Sequence, residues 1–359
     1  MRLSRVFRVL GFSLAFMLSI GVFIFHRTHM SFQDFKAISF HPEFIPWAQR
    51  DLFDLSSEEQ SQFFKDKERE YAQSRERIWS ICQNYNTSRK MIKDNRPGSM
   101  NIFKDRMVHD KRHKVSYCMI PKVASSTWSM HFIQLANVSQ KTIDHWVEAL
   151  QVLVVNLWPF PMKIDPLKAM EGQTSIVISR HPLERIASVY SQKLVNLGQS
   201  SWKDFSVWMI RSYRTSEPNR LPNLVLADRP DKDLYVSPQE FVAFLIDNLS
   251  GRRLEPDPHW IPQSTLCPFC LFNFTVYAKM ETLQEDTAYF ILKSGLAHLM
   301  HPELRKNPTH RKDHLKYQRL FWSSVHPRAI DELIQIYEMD FIMFDYHRDR
   351  SDEFLSKLL

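Results

Sequence analysis

The hydrophobic pattern changes period between residues 114 and 135. Val115, Tyr117, Met119 and Ile120 form a short apolar run that predicts a buried strand over 114–120. Trp128, Phe132 and Leu135 then recur at helical spacing, predicting a helix over 125–135. The same switch occurs twice more. Residues 174–179 (Thr-Ser-Ile-Val-Ile-Ser) predict a strand, and Leu183, Ile186, Ala187 and Tyr190 make a helical stripe after it. A third strand is expected over 274–277, followed by a helix from about 282 to 296. This alternation predicts an α/β fold, three-layered and P-loop-like, around a central, mostly parallel sheet. Ligands in such sheets sit beyond the carboxyl ends of the strands, here in the loops after Ile120 and Ser179. Residues 196–238 are polar and carry Pro218, Pro222, Pro230 and Pro238, a composition that predicts irregular surface loops.

The N-terminal pattern is different. Residues 9–25 are apolar or small without a charge, long enough for about 26 Å of helix. Arg2, Arg5 and Arg8 precede them, so the positive-inside bias leaves residues 1–8 in the cytosol and sends the rest to the lumen. A cleaved signal peptide is the competing reading, but His26, Arg27, Thr28 and His29 stand where a small-x-small cleavage site belongs. The expected organisation is therefore a tail (1–8), a transmembrane signal anchor (9–25), a stem (26–76) and a lumenal domain (77–359). Ser56-x-x-Glu59 is a capping-box pattern opening a charged helix, read as a solvated link between anchor and globule.

Composition narrows the picture further. Of 359 residues 44% are hydrophobic, enough for a sizeable core, and only 7 are glycine, which argues against a glycine-loop protein. The formal net charge of +7 favours polyanionic partners, and a lumenal location leaves acidic glycans rather than nucleic acid among them. Asn86, Asn137, Asn248 and Asn273 each open an Asn-x-Ser/Thr sequon, as expected of a lumenal glycoprotein. Cys82, Cys118, Cys267 and Cys270 suit an oxidising compartment and allow three pairings. Cys267-x-x-Cys270 lacks the second ligand pair that a zinc site needs, and no metal is expected.

Two loops carry the candidate chemistry. Pro121-Lys122-Val123-Ala124-Ser125-Ser126-Thr127-Trp128 joins a strand to a helix N-terminus, where free backbone N–H groups make an anion site. Lys122 adds a mobile cation and Ser125, Ser126 and Thr127 add hydroxyl donors. After the second strand, Arg180 sits where the strand ends and Ser188 lies two helical turns further on. A guanidinium fork and a helix hydroxyl suit a phosphate. Glu184 and Arg185 are read as a structural ion pair rather than as ligands.

These stretches resemble the Golgi carbohydrate sulfotransferases, the family of the chondroitin, dermatan and HNK-1 enzymes. The run from Pro121 to Trp128 is similar to that family's 5′-phosphosulfate loop, and 180–190 to its 3′-phosphate motif, with His181 replacing the usual Asp. Residues 257–263 with Cys267-Pro268-Phe269-Cys270, then Lys279-Met280-Glu281-Thr282-Leu283, then Tyr337 to Tyr346, match later family elements in order. Ser129 and Met130 depart from it, since basic residues commonly follow the tryptophan. The resemblance implies 3′-phosphoadenosine 5′-phosphosulfate as sulfuryl donor, bound by residues 121–128, Arg180 and Ser188. It implies a glycan hydroxyl as acceptor, on a polyanionic chain such as chondroitin or on a glycoprotein or glycolipid sugar, and a type II Golgi membrane enzyme. The loops of 196–238 would border the acceptor, and the basic run Arg305, Lys306, Arg311, Lys312, Lys316 and Arg319 is a candidate grip on an anionic chain. Lys122 would stabilise charge on the departing phosphate. His259 is the first candidate for general base and Glu281 the second. A nucleotide- or glycan-binding paralogue without activity is the alternative reading.

Overall fold

The computed structural model describes residues 56–84, 105–195, 200–214, 236–251, 256–271, 273–304 and 311–348. The expected tail, membrane anchor and first part of the stem lie outside these residues, as does Asn86. No helix among the described residues is long and apolar enough to cross a membrane. The described residues divide into two compact units, 134–147 and the remainder. Within 134–147, Ser139 caps a short helix, Gln140–His145, by accepting from the Thr142 N–H at 3.2 Å. Asn137 there adopts a left-handed φ of 53°, a conformation that Asn tolerates better than most residues.

The remainder is built on four strands in the order β1-β2-β3-β4: β1 (Met107–Asp110), β2 (Val115–Cys118), β3 (Thr174–Ser179) and β4 (Val276–Lys279). β1 runs antiparallel to β2, with Met107 opposite Cys118, and the other pairings are parallel. The expected α/β class and mostly parallel sheet are therefore observed. The first expected strand is shorter because Lys114, with a left-handed φ of 55°, still belongs to the hairpin turn. The third begins two residues later than expected, because Thr275 is engaged as a side chain, its hydroxyl accepting from the Ser175 N–H at 3.0 Å.

The helices that frame the site are labelled here in chain order. α1 (Ser57–Asn84) opens with the expected capping box, Ser56 N–H donating to Glu59 at 2.8 Å and Glu59 N–H to Ser56 at 3.3 Å. This helix is not merely a solvated link. Tyr71 is fully buried, and both its hydroxyl (2.7 Å) and the Lys67 ammonium (2.8 Å) donate to buried Asp286, so packing begins well before residue 77. α2 (Ser125–Leu135) and α3 (Pro182–Tyr190) follow β2 and β3 as the periodicity predicts. α4 (Ser200–Tyr213) is a correction, since its 14 residues lie in a stretch expected to be irregular loop. Trp202, Phe205 and Trp208 explain it: they pack at helical spacing against Trp260 and Phe244. α5 (Pro238–Leu249), α6 (Leu283–Ser294) and α7 (Glu338–Met343) complete the frame, with a short helical turn at 263–265 beside the site.

Successive β2 side chains point to opposite faces of the sheet. The Tyr117 ring meets Trp128 (5.4 Å) and Phe132 (6.1 Å) of α2, and Trp128 meets Phe290 (5.1 Å) of α6. Cys118, facing the other way, is bonded to Cys267, and Cys82 of α1 to Cys270. Two of the three pairings the sequence allows split the Cys-x-x-Cys pair between β2 and α1, and the fold selects the one that joins Cys267 to β2 and Cys270 to α1. With protein on both faces, β1 and β2 are buried along their whole length.

Candidate functional site

The parallel register aligns the carboxyl ends of β2, β3 and β4, and the loops that leave them carry the candidate residues. After β2 the backbone turns sharply. Lys122 and Ala124 both take left-handed φ values, 72° and 57°, with buried Val123 between them. Non-glycine residues held there store strain, which persists only where the surroundings enforce it. Left-handed residues in such a turn aim successive N–H groups into one concavity, an anion-binding arrangement. α2 begins immediately afterwards, so its first N–H groups face the same loop. The Gln151 amide donates to both Ser125 and Ser126 hydroxyls at 3.2 Å.

The second loop is joined to the first. Arg180 at the end of β3 is buried, and its Nη1 donates to the Lys122 carbonyl at 3.2 Å while its Nε donates to Glu184 at 3.2 Å. Its backbone is clamped by Gln263, whose side chain accepts from the Arg180 N–H (3.0 Å) and donates to the Arg180 carbonyl (2.7 Å). Glu184, Ser188 and Gln192 follow at four-residue spacing along the end of α3 and the π-turn Ser191–Val195. Glu184 holds Arg180 and Gln192 accepts from the Lys122 ammonium, so this row borders the loop at both ends with half-buried Ser188 between.

Arg185 departs from expectation. It does not pair with Glu184, whose partner is Arg180. The Arg185 side chain is buried and donates to three carbonyls, Pro121 (2.9 Å), Ile261 (2.8 Å) and Pro258 (2.8 Å). A single guanidinium thereby ties the β2 loop to the segment 258–261. Trp128, expected among the donor contacts, is another correction. It is wholly buried under the sheet, where it supports the loop through packing and has no surface for a ligand. Pro121 and Val123 are likewise buried.

The segment that Arg185 holds carries His259. Asp257 accepts from the His259 backbone N–H at 2.7 Å and pairs with its ring Nδ1 at 2.6 Å. A carboxylate on Nδ1 fixes the tautomer and leaves Nε2 as the basic nitrogen. Burial, together with the charges of Lys193 and Lys122, holds the imidazole below its ordinary pKa, with Asp257 opposing. Lys122 is depressed more, to about 7, by burial first and then by Lys193, Arg180 and Arg185. Glu281 stands elsewhere. It accepts from the Tyr346 hydroxyl at 3.1 Å, and burial and then the charge of Glu184 push its pKa up. Its neighbours are thus on the Arg180 side, whereas His259 shares its surroundings with Lys122.

Gln151, Gln192 and Lys193 lie outside the motifs, whereas Asp257 and Gln263 fall within the family element 257–263, which by itself gives neither a role. Gln192 had a signal, the four-residue repeat from Glu184 through Ser188, and Asp257 had its two-residue spacing from His259. Of the expected glycan sites, Asn273 is exposed. Asn248 is fully buried with its side-chain oxygen accepting from Trp260 at 2.8 Å, so a glycan has no place there in the folded chain. The basic run at 305–319 is described at Arg319 alone among its side chains.

The chain is similar to several known proteins. It is 27% identical over 248 residues to carbohydrate sulfotransferase 11 of Rattus norvegicus, a match covering 67% of this chain and 66% of that protein. It is 28% identical over 286 residues to carbohydrate sulfotransferase 10 of Danio rerio, covering 75% and 70% respectively. Carbohydrate sulfotransferase 9 of Homo sapiens is 27% identical over 250 residues, covering 67% of this chain and 53% of the relative. The chain thus matches a little under two thirds of the length of the rat protein. No solved structure matches the chain at a significant level. The family model described as "Sulfotransferase family" matches residues 105–347, which span every strand and every loop of the site described above, and the chain belongs to that family.

Proposed function

We propose that this chain transfers a sulfuryl group from 3′-phosphoadenosine 5′-phosphosulfate to a hydroxyl of a glycan. The observation that carries the reading is the Arg180–Lys122 bridge, which joins two separate anion-binding loops into one site. A donor with phosphate groups at both ends of its ribose needs two such sites at fixed separation. The names of the relatives, all carbohydrate sulfotransferases, support the sugar acceptor.

The residues present fit that donor. Arg180 and Ser188 hold the 3′-phosphate by charge-assisted and hydroxyl hydrogen bonds. The backbone N–H groups of the 122–127 turn, with Ser125 and Ser126, cradle the 5′-phosphate, and Lys122 stabilises the charge that grows on it as the sulfuryl group departs. Displacement is in line, so the acceptor approaches from the side opposite Lys122, and positioning accounts for much of the rate. His259 Nε2 takes the acceptor proton, and Asp257 holds the imidazole in the correct tautomer and stabilises the cation that forms. Glu281, set among Glu184 and Tyr346, is left the role of supporting the Arg180 side. Turnover of labelled donor against a panel of neutral and anionic glycans tests the reading. Absence of transfer to every sugar by a protein that binds the donor would instead favour a binding role.

Two disulfides, an exposed sequon at Asn273 and the apolar run at 9–25 support a lumenal, membrane-anchored enzyme of the Golgi, with an anionic chain such as chondroitin as acceptor. Protease added outside intact microsomes then leaves the bulk of the chain undigested, and digestion of the main domain refutes that topology.

A further inference from the structure

Lys193 lies outside both sequence motifs, yet the fold brings it to the site. It sits in the π-turn Ser191–Val195 that follows α3, directly after Gln192, whose side chain accepts from the Lys122 ammonium. Single π-turns at the end of an α-helix shift the following side chains around the axis and are frequent at functional sites. Here the Lys193 ammonium lies over the Trp202 ring of α4, 5.0 Å from its centroid. The same ring meets His259 edge-on at 6.1 Å. Trp202 in turn meets Phe205 (5.9 Å) and Trp260 (6.3 Å), so the ring under Lys193 is packed by its own helix and by the segment that carries His259.

The charge balance is unusual. Neither Lys122 nor Lys193 has an ion-pair partner among the described residues. The opposing charge that Lys193 feels is that of Asp257, which is already engaged by His259. The two ammonium groups repel each other, and an anion bound near both relieves that repulsion. In line with this, Lys193 is the strongest charged influence on Lys122, and burial depresses both.

We propose that Lys193 is a further catalytic residue, contacting the sulfonate oxygens of the donor from the side opposite the adenosine, between Lys122 and His259. The assignment rests on the transferase reading above, in which the leaving phosphate is at Lys122 and the attacking hydroxyl at His259. In an in-line displacement the sulfonate lies between these two, and Lys193 neighbours both. During transfer the bond from sulfur to the donor's phosphate oxygen breaks as the bond to the acceptor oxygen forms. The acceptor proton passes to His259, and Lys193 keeps its own proton throughout. Trp202 is the positioning residue, holding the ammonium by its ring face.

Binding measurements with two nucleotides separate the possibilities, because adenosine 3′,5′-bisphosphate lacks the sulfonate. Lys193→Met is expected to bind the bisphosphate as wild type does, to bind the sulfonated donor about tenfold more weakly, and to lose kcat by about 100-fold. Lys193→Arg, which keeps a cation over the ring, should recover part of kcat, and Trp202→Leu should lower kcat while affinity for the bisphosphate stays at the wild-type level. A Lys193→Met protein with wild-type donor affinity and kcat overturns the assignment. So does a defect confined to KM for anionic acceptors, which would place Lys193 on the acceptor's own anion. Failure of wild type to bind either nucleotide refutes the transferase reading itself, whatever Lys193 does.

Discussion

Arg180 donates to the carbonyl of Lys122 across 58 residues of sequence, at 3.2 Å, while its Nε is held by Glu184. The residue therefore fixes the loop that presents Lys122, and in the proposed reading its positive charge also serves the 3′-phosphate. Arg180→Ala should weaken binding of adenosine 3′,5′-bisphosphate by about 1–3 kcal/mol, the worth of a charge-assisted contact. Arg180→Lys should recover little, since a point charge cannot span phosphate, Glu184 and carbonyl at once. Unchanged nucleotide affinity in a folded Arg180→Ala protein, measured by titration calorimetry, removes Arg180 from the donor site.

On the proposed roles of His259 and Lys122, the dependence of kcat/KM on pH follows from these two groups. His259 must be neutral to accept a proton, and burial holds it below its ordinary 6.5, so the acidic limb falls below that value. Lys122 must be protonated, and in the free protein its pKa is about 7, so donor capture falls as pH rises through neutrality. A narrow bell is expected, its maximum between the two. His259→Ala should remove the acidic limb together with most of the turnover, and Lys122→Arg should move the alkaline limb upward by several pH units. A flat alkaline limb in wild type would show that Lys122 is not the group that captures the donor.

Both disulfides run from the Cys267–Cys270 segment, one to β2 and one to α1, closing separations of 149 and 188 residues. Closing loops of this size stabilises by limiting the unfolded chain, typically by about 2–5 kcal/mol. Cys82→Ser with Cys270→Ser should lower stability by that order while leaving nucleotide affinity close to wild type, because Cys82 holds α1 rather than a donor loop. Cys118→Ser with Cys267→Ser should affect both, because Cys118 ends the strand that leads into the loop of Lys122. Equal effects of the two pairs on nucleotide affinity would contradict this division.

Asn248 and Asn273 give a contrast within one experiment. Asn248 is fully buried and hydrogen-bonded to Trp260, whereas Asn273 is exposed. In secreted protein Asn273→Gln should remove one glycan's worth of mass on a gel. Asn248→Gln should leave the glycan count unchanged and lower stability by about 1–3 kcal/mol through the orphaned Trp260 donor. Loss of a glycan from Asn248→Gln would mean that this helix end opens in the native protein.

Much of this site can be read along the chain because its two loops follow strands whose periodicity is unambiguous. The periodicity places 174–179 and 125–135 to the residue, and each motif there is local: a turn, a cation and a helix start. The misreadings share a cause. β1 has only Met107 and Val108 as apolar residues, so it becomes a strand through pairing with β2. α4 is masked by the polar residues and prolines beyond it, and its aromatic face is meaningful only against Trp260, some fifty residues later. Arg185 looked like half of a local ion pair because Glu184 is adjacent, whereas its three carbonyl partners lie 64 to 76 residues away. Sequence spacing shows which side chains share a helix face, and it does not show which distant loop that face meets.

Lys122 should be a residue whose removal strengthens the fold. Its folded pKa, about 7, lies far below the ordinary 10.5, chiefly because burial disfavours the ammonium and then because Lys193 repels it. Below pH 7 folded and unfolded chains both hold the proton, and the full penalty of the buried charge is present. Between pH 7 and 10.5 the unfolded chain holds a proton that the folded chain has released, so stability rises with pH across that window, and above it the penalty vanishes. Lys122→Met keeps the stem and discards the charge, which raises the melting temperature by about 2–4 °C for each kcal/mol relieved. The gain should be largest below pH 7 and shrink towards pH 10, while transfer activity is lost at every pH. Saturating adenosine 3′,5′-bisphosphate narrows or reverses the difference, because its negative charge stabilises the wild-type ammonium, whereas the variant gains only from the contacts of Arg180, Ser188 and the loop N–H groups. Scanning calorimetry of both proteins at pH 6 and 9, with and without adenosine 3′,5′-bisphosphate, reads all four cases. A variant less stable than wild type at pH 6 without nucleotide would show that the ammonium is satisfied by the protein alone, and the case for an anion at Lys122 would fall with it.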